Sequence, residues 1–405
     1  MKKFIAMLLS LIMVLALTAC SSGKKSDTEG SDEYKDIKVG LICLHNEQST
    51  YDKNFIDAMT QACQDLGIPE SRMIIMTGID ESKACYEAAK DLVDRGCNII
   101  FADSFGHEDY MIQAAREFPN VQFCHATGTK AHTEGLSNYH NAFASIYEGR
   151  YAAGVAAGLK LNEMIEAGKI TPEKAVMGYV GAYTYAEVVS GYTSFYLGAK
   201  SVCPTVTMKV QFTGSWYDET AEKEAAEKLI SSGCVLISQH ADSMGAPTAC
   251  EKAGVPDVSY NGSTKASCPN TFIISSRINW APYYKYAINC VKDGKAIAVD
   301  WTGGFAEGSV ELSQLNESVA AAGTQAKIDA VITDLKNGSL KVFDTKTFTV
   351  DKSTVTSYMA DIDTDVNYQG DTEVIKDGYF HESEFRSAPA FDLQIDGIEL
   401  LNSKY

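Results

Sequence analysis

The chain has 405 residues and a formal net charge of −18, with 53 acidic against 35 basic side chains. Its Lys and Arg residues are scattered rather than clustered, so the electrostatic footprint of nucleic-acid binding is missing and no nucleic-acid partner is expected. About 370 residues beyond the amino-terminal leader suffice for two domains.

The leader comes first. Met1, Lys2 and Lys3 give a short basic start, followed by "FIAMLLSLIMVLAL", an apolar stretch too short to span a bilayer comfortably. It ends in "LTAC", where Leu17, Thr18 and Ala19 precede Cys20 in the pattern of a lipobox. Residues 1–20 are therefore expected to be a lipoprotein signal peptide, with Cys20 as the lipidated residue. Residues 21–36, "SSGKKSDTEGSDEYKD", are polar without an apolar period and read as a flexible tether. Acyl chains on Cys20 would hold the body on the extracytoplasmic face of a cell membrane, each buried methylene contributing roughly 0.8 kcal/mol.

Within the body, short apolar runs predict strands: "IKVGLIC", "MIIM", "NIIFA", "VQFCHA", "AVMGYVG", "VTMKVQF", "VLIS" and "FIISS". Helical patterns lie between most of them, which implies parallel sheets covered on both faces. The frame E-A-A-x-x-L-[VI]-x-x-G-C-x-[IL]-I occurs twice, from Glu87 to Ile100 and from Glu224 to Ile237. Each copy reads as helix, glycine turn and strand, as two doubly wound α/β lobes would show. The expected divisions are 37–140 for the first lobe with a return near 276–300, and 141–275 for the second with a return from about 301. Residues 344–405 are expected to pack on the body as strands or irregular cover on one lobe. In the stretch His125–Gly158, Tyr139, Phe143, Tyr147 and Tyr151 recur at helix-like spacing ahead of Gly149, Ala153, Gly154 and Ala157. The small residues predict a closely packed helix; Asn141 and Phe143, placed after the first crossing, are candidates for the wall of a hinge.

In doubly wound sheets, ligands meet the loops at the carboxyl ends of the strands. The echo sets the loop with Asp103 and Phe105 opposite the loop with Gln239, His240 and Asp242. The loops before the repeated helices, "TGIDES" and "TGSWYDE", join them, the second carrying Trp216. The loop after the first strand adds Asn46 beside His45, Glu47 and Tyr51. A flat, neutral heterocycle needs aromatic faces and a few directional partners at its edge. Trp216, Phe105, Tyr183 and Trp280 are the candidate faces; Asn46, Asp103, Gln239, His240 and Asp242 are the candidate edges. His240 and Asp242 alone do not make a metal site, and hydrogen bonding is the better reading; no cofactor is expected. The chain has no G-x-S-x-G, phosphate loop or metal cluster, so an enzyme is not expected. None of the ten cysteines after Cys20 forms CxxC, and their apolar contexts predict buried free thiols.

The lipobox, "YEGRYAAGVAAG", "GSWYDETAEKEAAEKLISSGCVLISQHADS" and "INWAPYY" together resemble the basic membrane protein family, over most of the chain from Ile37 to about Phe343. These are solute-binding lipoproteins of ABC importers, related to purine nucleoside receptors. The resemblance implies a type I periplasmic-binding-protein fold with a multi-crossing hinge, a purine base or nucleoside in the cleft, an ABC permease as partner, and a monomer. Nucleoside-binding members carry D-x-G-x-x-D-x-S-F-N after the first strand, where this chain has "HNEQSTYDKNF"; Asp52 and Phe55 are its only echo. The second lobe is closer to a branch with a Trp-containing loop, which includes an adenine binder. A sugar-binding protein and an extracellular sensor subunit are the competing expectations.

Overall fold

The structure, a computed structural model, describes residues 32–362 and 372–403. The signal peptide, Cys20 and most of the tether lie outside the described residues. The last tether residues do not stay free: Tyr34 is buried and its hydroxyl donates to Asn289 Oδ1 at 2.6 Å.

The first sheet contains β1 (Val39–Ile42), β2 (Met73–Met76), β3 (Ile99–Ala102), β4 (Gln122–Ala126), β5 (Tyr139–Ala144) and β11 (Asp300–Gly303), in the order β11-β5-β4-β3-β1-β2. All its pairings are parallel. In the second sheet are β6 (Val176–Gly181), β7 (Thr207–Phe212), β8 (Leu236–His240), β9 (Asp257–Tyr260), β10 (Phe272–Ile278) and β12 (Val310–Leu312), ordered β12-β10-β9-β8-β6-β7. Only β12 runs antiparallel there, against β10, and a terminal strand, Ile398–Leu400, adds parallel to β7. These are the two doubly wound lobes expected from the alternating pattern. In each, the strand order reverses beside the first strand, at β1/β3 and at β6/β8.

The sequence echo is structural. Helix α2 (Lys83–Asp94) leads to β3 as α6 (Glu219–Ser231) leads to β8. Gly96 and Gly233 end the two turns at φ of 86° and 95°, where a Cβ would clash with its own backbone. The other helices used below are α1 (Thr50–Leu66), α3 (Glu108–Glu117), α4 (Ile146–Glu166), α5 (Ala186–Val202), α7 (Gly245–Ala253), α8 (Ala281–Asp293) and α9 (Thr324–Lys336).

Two expectations about the middle of the chain are corrected. Tyr139 and Phe143 lie on β5, a strand, and the helix starts only at Ile146. The strand is buried throughout, so its aromatics follow the needs of a covered parallel sheet rather than a helical stripe. The first crossing accordingly falls after Ala144 rather than at 141. The later crossings lie between β10 and α8, at Asn279 and Trp280, and between β11 and β12. Helix α4 packs tightly on α5, as its small residues predict: a Cβ on Gly154 would stand 2.0 Å from the carbonyl oxygen of Phe195.

The carboxy-terminal extension bridges both lobes instead of covering one. Its Ser387 amide donates to Asp300 Oδ1 on β11 at 2.8 Å, and Gln394 Oε1 accepts from Tyr192 on α5 at 3.2 Å. Glu382 anchors it, accepting from the amides of Ala390 and Phe391 at 3.1 and 2.9 Å. The lobes also touch directly. Thr50 at the start of α1 donates its amide and hydroxyl to the backbone carbonyl of Asp242, at 3.3 and 3.2 Å. Asn54 Nδ2 reaches Asn261 Oδ1 at 3.3 Å. Among the described residues all ten cysteines are buried and none is in a disulfide.

Candidate functional site

A cleft with about 390 Å³ of unfilled space, the open solvent at its mouth included, lies between the lobes, where both sheets end. The first lobe supplies Leu44 and His45 after β1, Tyr51 and Asp52 at the start of α1, Ser104 and Phe105 after β3, and Thr127 after β4. Facing them are Glu187 at the start of α5, Trp216 after β7, His240 and Asp242 at and beyond the end of β8, and Tyr260 at the end of β9. Each group stands at a strand's carboxyl end or at the helix that follows, flanking both positions where strand order reverses.

Of the ten candidate ligand residues, the structure brings four to this wall: Trp216, Phe105, His240 and Asp242. The other six lie elsewhere, each for a physical reason. Asn46 is exposed and its Oδ1 accepts from the amide of Gln48 at 3.0 Å, closing its own loop. Phe143 and Trp280 are core: Trp280 is 1% exposed, stacked on Phe55 at 4.4 Å and edge-on to Phe143 at 6.2 Å. Gln239 is buried, its Nε2 holding the next loop by bonds to the carbonyls of Ala241 and Ser243 at 2.7 and 3.2 Å. Tyr183 backs the cavity wall instead of lining it, edge-on to Trp216 at 5.0 Å. Asp103 sits behind the wall, fully buried, its Oδ1 accepting from the amide of Leu44 at 3.1 Å.

Asp52, the lone acidic echo in the first loop, turns out to organise it. Its carboxylate accepts from the amide of His45 at 2.7 Å and the hydroxyl of Ser49 at 2.5 Å, while Ser49 caps α1 by accepting from the Asp52 amide. Burial pushes the Asp52 carboxyl up, but hydrogen bonds from His45, Ser49 and Asp103 together outweigh it and hold it below the usual range. Asp103 is driven far the other way by burial and by the Asp52 charge. The two form a pair in which Asp103 keeps the proton and Asp52 the charge. Cys43 Sγ joins them, the three ligand atoms lying within 4.8 Å of one another. Burial raises the Cys43 thiol too, and Asp103 lies within hydrogen-bond reach of it.

Across the cavity, burial and the charges of Asp52, Glu222 and Glu187 raise Asp242 well above the usual carboxyl range. His240, lowered by burial, is neutral, and its Nε2 lies 3.4 Å from Glu187. The wall therefore offers a protonated carboxyl, a neutral imidazole, carboxylates and the faces of Trp216, Phe105, Tyr51 and Tyr260. Such a set makes directional hydrogen bonds to an uncharged polar ring and covers its faces. Thr127, a β-branched residue, holds φ at 66°, a strained conformation of the kind that collects at ligand sites. Behind the wall, Arg150 of "YEGRY" is fully buried, lies over the Tyr260 ring at 4.2 Å and donates to the carbonyl of Gln239 at 2.6 Å. It fixes Tyr260 and the end of β8 from beneath.

The model of PnrA-like substrate-binding proteins of ABC transporters matches residues 40–346. The chain belongs to this family. The family is one of solute-binding proteins of ABC transporters. A purine-binding protein of Brucella abortus is 33% identical over 240 residues, 59% of this chain and 64% of that protein. A Haloferax volcanii protein named for glucose binding is 32% identical over 223 residues, 55% of this chain and 53% of that protein. The chain thus matches less than two thirds of the length of either relative. Solved solute-binding proteins share the fold. One from Conexibacter woesei superposes with a TM-score of 0.62 at 18% identity, covering 75% of this chain and 98% of its own. Another, from Aeropyrum pernix, gives 0.63 at 17% identity over 76% and 93% of the two chains. The periplasmic-binding fold expected from the sequence is the fold of the protein.

Missed by sequence reasoning as site residues were Asp52, Ser104, Thr127 and Tyr260; Tyr51, already placed in the first cleft loop, lines the cavity. Ser104 could have been found, since it neighbours Asp103 and Phe105 in a loop already singled out. Tyr260 ends a strand that no apolar run announced.

Proposed function

We propose that this family member captures a purine base or nucleoside between its lobes and presents it to an ABC permease, while a lipid on Cys20 keeps it at the membrane. The observation that carries the ligand is the wall itself: Trp216 and Phe105 from opposite lobes, with Asp242, His240 and Asp52 at the edge between them. Ring nitrogens and exocyclic amines match a set that holds both protonated and ionised carboxyls. The Brucella relative's name supports the same class. Lobe rotation about the three crossings would open and close the cleft. Calorimetry with adenine, guanine, adenosine, guanosine and glucose tests it: a purine compound should bind best, and binding of glucose alone would remove the purine claim. Glucose belongs in that panel because carboxylates at the wall also accept from sugar hydroxyls and the Haloferax relative is named for that sugar.

A further inference from the structure

The cavity has a neighbour. Phe105, Thr127 and Glu187 also border an outer chamber of about 1260 Å³ of unfilled space including its mouth, so the two spaces adjoin across these three residues. The far side of that chamber is built by the carboxy-terminal extension, through Asp361, Arg386, residues 388–390 and Asp392. Most of this segment lies beyond the family match, which ends at 346.

The chamber's chemistry is one-sided. Glu108, Asp109, Glu187, Asp361 and Asp392 line it, against Lys130 and Arg386. The surplus is acidic, five carboxyls against two cations, with one acid and one base offsetting each other and Arg386 keeping its charge. Lys130 pairs with Asp109 at 2.5 Å, and Arg386 spends its guanidinium on the carbonyls of Ala388 and Pro389, at 3.2 and 3.0 Å. Asp392 accepts from the hydroxyl of Tyr358, and a carboxylate has lone pairs for further donors. An acid-lined space accepts hydroxyl donors and repels anions.

Building on the purine reading, we propose that residues 382–392 are part of the ligand site. They wall a second subsite for an uncharged, hydroxyl-bearing group carried by the purine, and they turn away phosphate. Glu382 holds this wall in place through the amides of Ala390 and Phe391, and Ser387 ties it to the first lobe through Asp300. The extension is thus a selectivity element and not only cover.

The test is calorimetry on the full chain in detergent with one purine base, its ribonucleoside and the 5′-monophosphate. The nucleoside should bind at least about tenfold more tightly than the monophosphate, the scale of one hydrogen bond to a charged group. Asp392→Asn should lower the nucleoside-to-base affinity ratio by about tenfold on the same scale, and narrow the gap to the monophosphate. Asp361→Asn gives the same comparison should Asp392→Asn fold poorly. Base binding with unchanged ratios in both variants, or a monophosphate bound as tightly as the nucleoside, overturns the second subsite alone. An unaltered chain that binds no purine overturns the purine reading and this inference together.

Discussion

Two tryptophans offer a paired test of where the ligand binds. Trp280 is 1% exposed and packs on Phe55, Phe143 and Tyr283, so Trp280→Ala opens a cavity in the core. That class of truncation costs about 3–5 kcal/mol. Trp216 is half-buried in a loop, its ring against Tyr183 and Tyr185 on one side and the cavity on the other. Losing those two aromatic contacts costs roughly 0.5–1.5 kcal/mol each. Stacking on a purine would add about 1–3 kcal/mol to binding, or roughly five- to a hundred-and-fifty-fold in affinity. Trp216→Ala should therefore show a small fall in thermal midpoint and a large loss of affinity. Trp280→Ala should show the reverse pattern. Differential scanning calorimetry without ligand and titration calorimetry with it, on both variants, decide the matter. A Trp216→Ala protein with unchanged affinity and a large drop in stability would refute the stacking role.

Other expectations follow from the same geometry. Burial raises the carboxyls of Glu222, Asp257 and Glu382 to about 7. The folded chain therefore holds protons that the unfolded chain releases nearer pH 4, and stability is full below that value and lost as pH rises through 7. His107, His125, His140 and His240, lowered by burial, act in the opposite direction over the same window, so the test is a difference: Glu222→Gln should lose less stability than the unaltered chain between about pH 4.5 and 7.5, and an identical pH profile would contradict the assigned burial of Glu222. Cys20→Ser should release the protein from membranes, and retention of the variant after a high-salt wash would end the lipobox reading. Gly233→Ala, at φ of 95°, should cost on the order of 1–3 kcal/mol in denaturant unfolding without altering ligand affinity.

How much of this was legible in the sequence depends on the kind of signal. The echo exposed the α2–β3 and α6–β8 units because helix period, a left-handed glycine and a strand recur in one short window. It also aligned Phe105 with His240 and Asp242, which the fold carries to one cavity. Strands β5, β9 and β11 escaped: "YHNAFA", "DVSY" and "DWTG" carry polar residues that are satisfied by tertiary bonds no local pattern announces. Asn141, for instance, accepts from the amide of Ala131 at 2.7 Å. Trp280 and Phe143 misled because an aromatic near a crossing is compatible with either cleft or core, and only packing against Phe55 decides. Asp52 was undervalued because its role depends on Asp103, which is distant in sequence.

The bonds from Thr50 and Asn54 to the opposite lobe have a kinetic side. They are made by protein groups alone, so the shut arrangement draws stability from within the chain. A solute that reaches the wall by an excursion breaking them, with Phe105 parting from Tyr185 of the opposite lobe, its stacking partner at 5.4 Å, enters only as often as that excursion occurs. Capture is then timed by that excursion, and the observed association rate levels off as solute concentration rises, at the frequency with which the gate opens. The same latch slows escape, so dwell time and uptake rate are set together by a few polar contacts far from any atom of the cargo.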